Sequence, residues 1–337
     1  MIYIIQGGRA GNQLFSYAFA KKVKELYGDE ELCFVLTAIK NKANSESNGE
    51  FWEDSLKYFD VDSYTVSYEA DIVRKKGSII QALLYQIWRL SRKFNNLIFN
   101  KTGVEFSDFS LKINKIIFDF ISKFGLYIMT HGYSNVLNKS NATNKFIYGS
   151  FEDTRWFSGL SSKLREEFIP KDKINEECLE LYNEIISHNA ICVSLRKWSI
   201  DVHDSEELVK REICDSSYYE KAISYLANYV ENPVFVVFSD DLVWASGVVK
   251  SIVGDKYPIL VEKGNNNVAE KLLLMSSCKH CVVANSTFSW WAAYLNKYKN
   301  KIVISPNIWF KSNYKFHPLI LKDWIKIDCK RGGDRSE

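Results

Sequence analysis

Short apolar runs alternate with amphipathic helical patterns along most of the chain. In the first part, the runs MIYII and LCFVLTA flank a helical pattern that begins near Asn12, and KFIYGSFED is predicted as a further strand. The alternation restarts in the second part, where strands are predicted at AICVSL, PVFVVFS, YPILVE, HCVVAN and KIVISP. Repeated βα units of this kind predict parallel sheets that are covered by helices on both faces.

The two sets of βα units predict an α/β protein with two Rossmann-like domains that face a cleft. The first domain is predicted over residues 1–170, with a mainly helical insertion at 70–135, and the second over residues 171–330. A chain of 337 residues, 46% of them hydrophobic, is long enough for two separate cores.

The charge of the chain is unevenly distributed, with one strongly basic segment. The net charge of +3 is too small to indicate nucleic acid as the main partner. Between Arg74 and Lys123, however, ten Lys and Arg residues stand against three acidic residues. This basic, amphipathic segment, 74–123, could contact an anionic membrane surface, and the alternative is a pair of ordinary domain helices with solvated lysines. Its apolar runs are shorter than the roughly 20 residues that a membrane span requires.

The seven cysteines show no disulfide spacing and are expected to be reduced, which indicates a cytoplasmic protein. No signal-peptide pattern precedes the first strand. Cys278 and Cys281 form a lone pair with His280 between them, too few ligands for a zinc site, so no metal is predicted and His280 is expected to be structural.

The glycine-rich turn after the first strand, GGRAGNQ, is the first candidate binding loop. It lacks the first glycine of a dinucleotide fingerprint, where Gln6 stands, and the second strand does not end in an acid, so NAD binding is disfavoured. Gly8 and Gly11 are expected to permit unusual backbone conformations and close approach of a ligand. Asn12 and Gln13 would lie at the helix N-terminus and face the cleft, with helix capping as the alternative for Asn12.

Charged residues follow two strands of the second domain. Arg196 and Lys197 come directly after AICVSL, where adjacent cations suit a diphosphate, although a solvated surface pair is the alternative. Asp240 and Asp241 end the strand PVFVVFS. Because neighbouring residues of an extended chain point in opposite directions, at most one of the two aspartates should reach a ligand. Its role could be a contact to a ribose or base of the ligand, or a cap of the following helix.

Hydroxyl groups follow a third strand. Ser286 and Thr287 stand where HCVVAN gives way to a helix, and hydroxyls with free N–H groups at a helix start make an anion site that needs no metal. Trp290 and Trp291, one turn further on, are expected to pack in the core.

Four motifs in the same order resemble the α-1,2-fucosyltransferases of glycosyltransferase family 11: GGRAGNQLFSYAFA, YGSFEDTRWF with LREEF, VFVVFSDD and LLLMSSCKHCVVANSTFSWWAAYLN. The resemblance extends from residue 5 to about residue 310, with a weaker middle. It implies a GT-B-like fold and an inverting, metal-independent transfer of fucose from GDP-fucose to the 2-hydroxyl of a galactose-type acceptor, with no cofactor. The implied acceptor is a galactose-containing glycan or lipid-linked oligosaccharide in surface polysaccharide synthesis, such as O-antigen or capsule.

The resemblance also implies roles for individual residues. Arg196 corresponds to the phosphate-binding arginine, Asn12 to the asparagine of the glycine loop, and Ser286, Thr287 and Phe288 to the donor site. The family pattern His-x-Arg-Arg-Gly-Asp reads SLRKWS at residues 194–199, so the arginine is kept while the histidine, second arginine, glycine and aspartate are replaced.

This departure leaves open which residue replaces the lost acid, which residue is the general base and which sugar the donor carries. Asp201, two residues beyond the lost acid, is the candidate to replace it, and Asp201, His203 and Glu152 are candidates for the general base. The chain could use a different nucleotide sugar, or bind a sugar nucleotide without catalysis. From a different class, it could be a scaffold on a membrane surface that uses residues 74–123.

Overall fold

Two compact units make up the part of the chain described by the computed structural model. The described residues are 1–45, 52–102, 108–311 and 317–329. The first unit comprises Met1–Leu56 and Val61–Leu164, and the second comprises Lys57–Asp60 and Arg165–Glu337.

The first unit contains a five-stranded parallel sheet in the order β3-β2-β1-β5-β4. Its strands are β1 (Ile2–Ile5), β2 (Leu32–Val35), β3 (Tyr64–Ser67), β4 (Leu126–Met129) and β5 (Lys145–Gly149). Its helices are α1 (Ala10–Lys24), α2 (Thr37–Ser45), α3 (Ile72–Lys76), α4 (Ile79–Thr102), α5 (Asp108–Ile121) and α6 (Ser161–Glu167, which crosses the boundary). Helix α1 is buried along most of its length because Leu14, Phe15, Ala18 and Phe19 are fully inaccessible to solvent.

The second unit contains a six-stranded parallel sheet in the order β11-β10-β9-β6-β7-β8. Its strands are β6 (Asn189–Leu195), β7 (Pro233–Ser239), β8 (Ile259–Val261), β9 (His280–Val282), β10 (Val303–Pro306) and β11 (Ile325–Ile327). Its helices are α7 (Glu176–Ser187), α8 (Ser205–Arg211), α9 (Ser216–Tyr229), α10 (Leu242–Val253), α11 (Val268–Ser277) and α12 (Thr287–Leu295).

The predicted α/β class is confirmed by these two parallel sheets and their helices. Residues Ala190–Leu195 of β6 are all buried, which is consistent with their apolar sequence, interrupted only by Ser194. Alternate residues, Ile191, Val193 and Leu195, share a core cluster with the inward faces of α9 and α10.

Strand order places a ligand-binding position in each sheet. Numbered from its own first strand, the second sheet has the order 3-2-1-4-5-6, the Rossmann order, and the order in which strands are added reverses between β6 and β9. In the first sheet the reversal lies between β1 and β5. Open α/β sheets bind ligands beyond the carboxyl ends of the strands at this switch point.

The segment predicted as mainly helical, 70–135, also contains a strand. The helical region ends at Gly125, which adopts a left-handed conformation with φ of +76°, and the chain then forms β4. All four residues of β4 are buried. The periodicity of so short an apolar run does not distinguish a buried strand from a buried helix. The edge strands β3 and β11, of four and three residues, were missed because they show no continuous apolar run.

We predict that Gly149→Ala lowers the free energy of unfolding by about 2–4 kcal/mol. A Cβ at this position, at the end of β5, would lie 1.8 Å from the carbonyl oxygen of Met129 on the paired strand β4. The matched control is Gly247→Ala in α10, where no atom lies within 4 Å of the added Cβ. The control should be neutral or stabilise by up to about 1 kcal/mol, because alanine favours helices. Equal denaturation midpoints for the two variants would contradict the packing described here.

Candidate active site

Arg196, one residue beyond β6, lies between two carboxylates. Its guanidinium forms an ion pair with Asp201, and its Nη1 lies 2.6 Å from Oδ2 of Asp240, which follows β7. The three side chains are largely buried, with 16%, 9% and 17% of their surfaces exposed. The backbone N–H of Arg196 also donates to the hydroxyl of Tyr219, at 3.4 Å. A guanidinium is therefore fixed at the switch point of the second sheet.

A short turn brings Asp201 to Arg196. Residues Trp198–Ile200 form one turn of 3₁₀-helix, in which the N–H of Asp201 donates to the carbonyl of Trp198 at 3.1 Å. The N–H of Val202 donates to the same carbonyl at 2.9 Å. The chain therefore folds back immediately after Lys197, and the acid two residues beyond the family position reaches the arginine.

Trp198 connects this loop to the one that follows β9. Its indole Nε1 donates to Oδ1 of Asn285 at 3.2 Å, and the guanidinium carbons of Arg196 and Arg211 lie 4.9 Å and 5.1 Å from its ring centre. Asn285 is buried and donates to the carbonyls of Arg211 and Trp309. No sequence motif relates Trp198, Arg211 and Asn285, so their contacts are evident only in the tertiary structure.

The adjacent Asp240 and Asp241 reach different partners. Asp240 accepts from the backbone N–H of Lys197 at 3.0 Å in addition to its ion pair with Arg196. Asp241 caps α10 by accepting from the N–H of Trp244, and it forms an ion pair with Nζ of Lys197 at 2.7 Å. Hydrogen bonds from Lys197 and Trp244 hold the pKa of Asp241 below its ordinary value.

The third predicted donor segment lies at the start of α12. Ser286 is the N-cap residue and its side chain makes no capping hydrogen bond, while Ser286, Thr287 and Phe288 are all partly exposed. Trp290 and Trp291 are fully buried, so the core position predicted for them is confirmed. Because β9 lies beside β6, this helix start belongs to the same edge of the sheet as Arg196.

His280 has the structural position expected for it. It is 8% exposed, and its Nδ1 accepts from the N–H of Ile302 at 3.0 Å. Burial lowers its pKa, with a smaller contribution from Lys279, so the neutral ring is favoured. Across the described residues, no group of three or more His, Cys, Asp and Glu side chains has an arrangement that could hold a metal ion.

A second polar position lies at the switch point of the first sheet. Nδ2 of Asn12 donates to Oε1 of Glu152 at 2.8 Å, which joins the first turn of α1 to the loop after β5. Helix α1 begins at Ala10 with Arg9 as its N-cap residue, so Asn12 lies inside the first turn and does not cap it.

Gly8 is required for space, and the expectation of an unusual backbone conformation in this turn is wrong. Neither Gly8 nor Gly11 has a positive φ. A Cβ on Gly8 would lie 2.5 Å from Cβ of Asn12, whereas a Cβ on Gly7 would have no atom within 4 Å. Gly8 therefore lets the side chain of Asn12 pack against the backbone of the turn.

Gln13 holds the turn rather than lining it. It is 1% exposed, its Nε2 donates to the carbonyls of Gly8 and Glu53, and its Oε1 accepts from the N–H of Ser55. Gly11 is also buried. The amide of Gln6, equally buried, has an Nε2 without a hydrogen-bond partner within the described parts of the chain, and this orphaned donor lies directly after β1.

Backbone strain lies beside Glu152. Phe151 has φ of +50°, a conformation that is rare for a residue with a bulky side chain. Its ring stacks on Phe19 with centroids 3.9 Å apart, and only 2% of Phe151 is exposed. Such strain persists where packing enforces it and is concentrated at functional sites, and here it lies directly before Glu152 in the chain.

Comparison with known proteins identifies the family. The sequence profile of Glycosyl transferase family 11 matches residues 97–328, more than half of the chain. This chain belongs to glycosyl transferase family 11. It is therefore a glycosyltransferase, and the resemblance seen in the sequence motifs is confirmed.

Individual relatives of this family 11 enzyme agree with that assignment. The O-antigen biosynthesis glycosyltransferase WbnK of Escherichia coli is 26% identical over 334 residues, which cover 97% of this chain and 100% of the relative. An alpha-1,2-colitosyltransferase of Escherichia coli is 33% identical over 198 residues, 58% of this chain and 67% of the relative. The mouse galactoside 2-alpha-L-fucosyltransferase Sec1 is 30% identical over 52% of this chain and 50% of its own length.

Among solved structures, Escherichia coli ADP-heptose LPS heptosyltransferase II superposes with a TM-score of 0.44 at 11% identity, over 97% of this chain and 89% of that one. A mutant of Arabidopsis thaliana FUT1 in complex with GDP also has a TM-score of 0.44, at 12% identity, over 93% of this chain and 72% of that one.

We predict that Gly8→Ala lowers the transferase activity of this family 11 enzyme about tenfold or more, because the added methyl group displaces Asn12 and its contact with Glu152. Gly7→Ala, one residue earlier, is the matched control because the space around its Cβ is open. The measurement is initial transfer rate, with melting temperature checked in parallel. Equal activity in the two variants would show that the position of Asn12 is unimportant.

Proposed function

We propose that this enzyme transfers L-fucose from GDP-fucose to the 2-hydroxyl of a galactose-type acceptor, with inversion at the anomeric carbon and without a metal ion. Family membership and relatives named as α-1,2-fucosyltransferases support this reading. The observation that carries it is the guanidinium of Arg196, held at the switch point of the second sheet, at the same edge of the sheet as the start of α12.

The chemistry follows from where charge develops. Cleavage of the bond between the sugar and the phosphate leaves positive charge on the sugar ring and new negative charge on the departing diphosphate. Arg196 would donate to two phosphate oxygens, with the N–H groups and hydroxyls at Ser286 and Thr287 supplying further donors. Stabilisation of the leaving group by fixed donors of this kind lowers the barrier without a metal ion.

Donor binding must change the partners of Arg196. Two carboxylates contact its guanidinium, and both would repel a diphosphate. We infer that the diphosphate replaces Asp201, whose position depends on a short 3₁₀ turn, while Asp240 stays on the rigid end of β7. Asp201 is then a positioning residue that holds Arg196 in place until the donor arrives.

Glu152 is the proposed general base. Inversion requires a group that removes the proton of the acceptor hydroxyl on the face opposite the leaving group. Asp201 is already assigned to positioning Arg196 at the donor site, and His203 is exposed on the loop before α8. Glu152 is oriented by Asn12 and by the strained Phe151, at the switch point of the first sheet.

We predict that Arg196→Ala lowers turnover by at least about 100-fold, as the loss of a fixed donor to a developing anion does elsewhere. Arg196→Lys should recover only part of this loss, since lysine cannot donate to two oxygens in a planar fork. Lys250→Ala, an exposed cation at the end of α10, is the control and should keep wild-type activity.

The wild type and Arg196→Ala also test which nucleotide the donor site binds. GDP should raise the melting temperature of the wild type more than UDP or ADP does, and this shift should vanish in Arg196→Ala. Wild-type turnover in Arg196→Ala would refute the role of the guanidinium, and stabilisation by UDP or ADP alone would refute a GDP-linked donor.

We predict that Glu152→Gln lowers kcat by about 10²-fold or more while the affinity for GDP stays unchanged, because the variant keeps an acceptor for Asn12 but loses the base. The experiment compares pre-steady-state transfer rate with the GDP-induced thermal shift. Unchanged kcat would remove Glu152 from the mechanism, and loss of the thermal shift would place it in donor binding instead.

A second candidate function differs in the donor sugar. The relative with 33% identity is named as an α-1,2-colitosyltransferase, and the sequence after Arg196 departs from the fucosyltransferase motif. Parallel assays with GDP-fucose and GDP-colitose on one galactoside acceptor would distinguish the two sugars. GDP binding without transfer from either donor would instead favour a sugar-nucleotide-binding protein without catalysis.

A further inference from the structure

Helix α4 carries an apolar stripe on its outer side. Ile79, Leu83, Ile87 and Leu90 are between 59% and 80% exposed, and Ile80 beside them is 55% exposed. Their spacing of four, four and three residues places them on one face of the helix. These five side chains are called the α4 patch below. Exposed aliphatic side chains grouped in this way indicate an interaction surface.

The opposite side of α4 fixes its orientation. Trp88 is 7% exposed and packs in the core against Tyr148 of β5, with ring centroids 5.5 Å apart. Gln81 is 2% exposed, and its Nε2 donates to the carbonyls of Phe124 and Asn144, both at 2.8 Å. The α4 patch is therefore held outward by a well-packed inner face.

The sequence that carries the α4 patch is strongly basic. From residue 72 to residue 104 the sequence contains no Asp or Glu, and its cations are Arg74, Lys75, Lys76, Arg89, Arg92, Lys93 and Lys101. The three cations of α3 are exposed, and Arg74 lines an open groove with Ile79 and Leu83. Arg89 has Asp71 as an ion-pair partner at 3.6 Å. The surface thus combines exposed aliphatic groups with a large excess of cations.

Helix α5 also exposes apolar and positively charged side chains. Ile116 and Phe120 are 66% and 51% exposed, one turn apart, and Lys112 and Lys123 are exposed beside them. Ile117 and Ile121 on its inner side belong to the same core cluster as Trp88. Both helices therefore cover the same face of the first sheet and turn apolar groups away from it.

We propose that the α4 patch and its surrounding cations dock this enzyme on the surface of an anionic lipid bilayer. The helix of 24 residues, about 36 Å long, would lie in the plane of the interface with its aliphatic side chains below the headgroups and its cations at the lipid phosphates. No helix in the described residues is long and apolar enough to cross a membrane, and this surface contact requires none.

Charge distinguishes this occupant from a second copy of the chain. A symmetric dimer through the α4 patch would bring each set of cations against its own copy, with no acidic residue between 72 and 104 to compensate. Nucleic acid would satisfy the cations but would leave the aliphatic stripe in water. An anionic bilayer complements both the charge and the apolar groups.

The experiment is vesicle flotation of the full chain. It should float with phosphatidylcholine vesicles that contain phosphatidylglycerol at low ionic strength, and not with pure phosphatidylcholine vesicles, and added salt should weaken the binding. Arg74→Gln, Lys75→Gln and Lys76→Gln combined should weaken binding about 100-fold. Leu83→Glu with Ile87→Glu should abolish it, since both apolar burial and charge are lost.

The matched control is Leu179→Glu with Ile186→Glu, two exposed apolar residues on α7 of the second unit. This control should bind vesicles as the wild type does, with a similar melting temperature in all variants. Absence of wild-type binding to the anionic vesicles, or retained binding in the Leu83 and Ile87 variant, would overturn the proposal. A wild-type dimer that this variant dissociates, without lipid binding, would assign the α4 patch to self-association instead.

Discussion

The ion pairs of Arg196 are the interaction on which the candidate donor site depends. A guanidinium held by Asp201 and Asp240 is largely desolvated, and the two ion pairs fix its position. An arginine in this state can exchange one carboxylate for a phosphate with little change in its own position. The positive charge is thus arranged before the substrate arrives, which is the condition for effective electrostatic stabilisation of a leaving group.

The backbone topology explains why the polar groups lie where they do. In each sheet the strand order reverses once, and the loops on either side of the reversal carry the chemistry-bearing side chains. In the second sheet these are Arg196 and the start of α12, and in the first they are Asn12 and Glu152. Each unit supplies its own parallel sheet as the scaffold for these loops.

Much of the fold could be predicted because the strongest signals are local. Apolar runs predict the strands β6 and β7, and an amphipathic pattern predicts the helix α9. Trp290 and Trp291 lie on a helix whose apolar face must be buried. Strand β4 was missed because a buried strand and a buried helix look alike over four apolar residues.

The site could be predicted only in part, because its contacts depend on tertiary structure. The sequence places Arg196 at a strand end, but the pairing with Asp201 depends on the 3₁₀ turn at Trp198, which replaces a family glycine. The hydrogen bond between Asn12 and Glu152 joins residues 140 positions apart, and no local pattern encodes it. A glycine is required at position 8 because the side chain of Asn12 occupies the space that a Cβ would need. Backbone propensity does not predict this requirement.

A crystal structure of this enzyme with bound GDP tests the central claim most directly. We expect two diphosphate oxygens to accept hydrogen bonds from the guanidinium of Arg196, with Asp201 displaced and Asp240 still in contact. A diphosphate bound elsewhere, with Arg196 still held by both carboxylates, would contradict it.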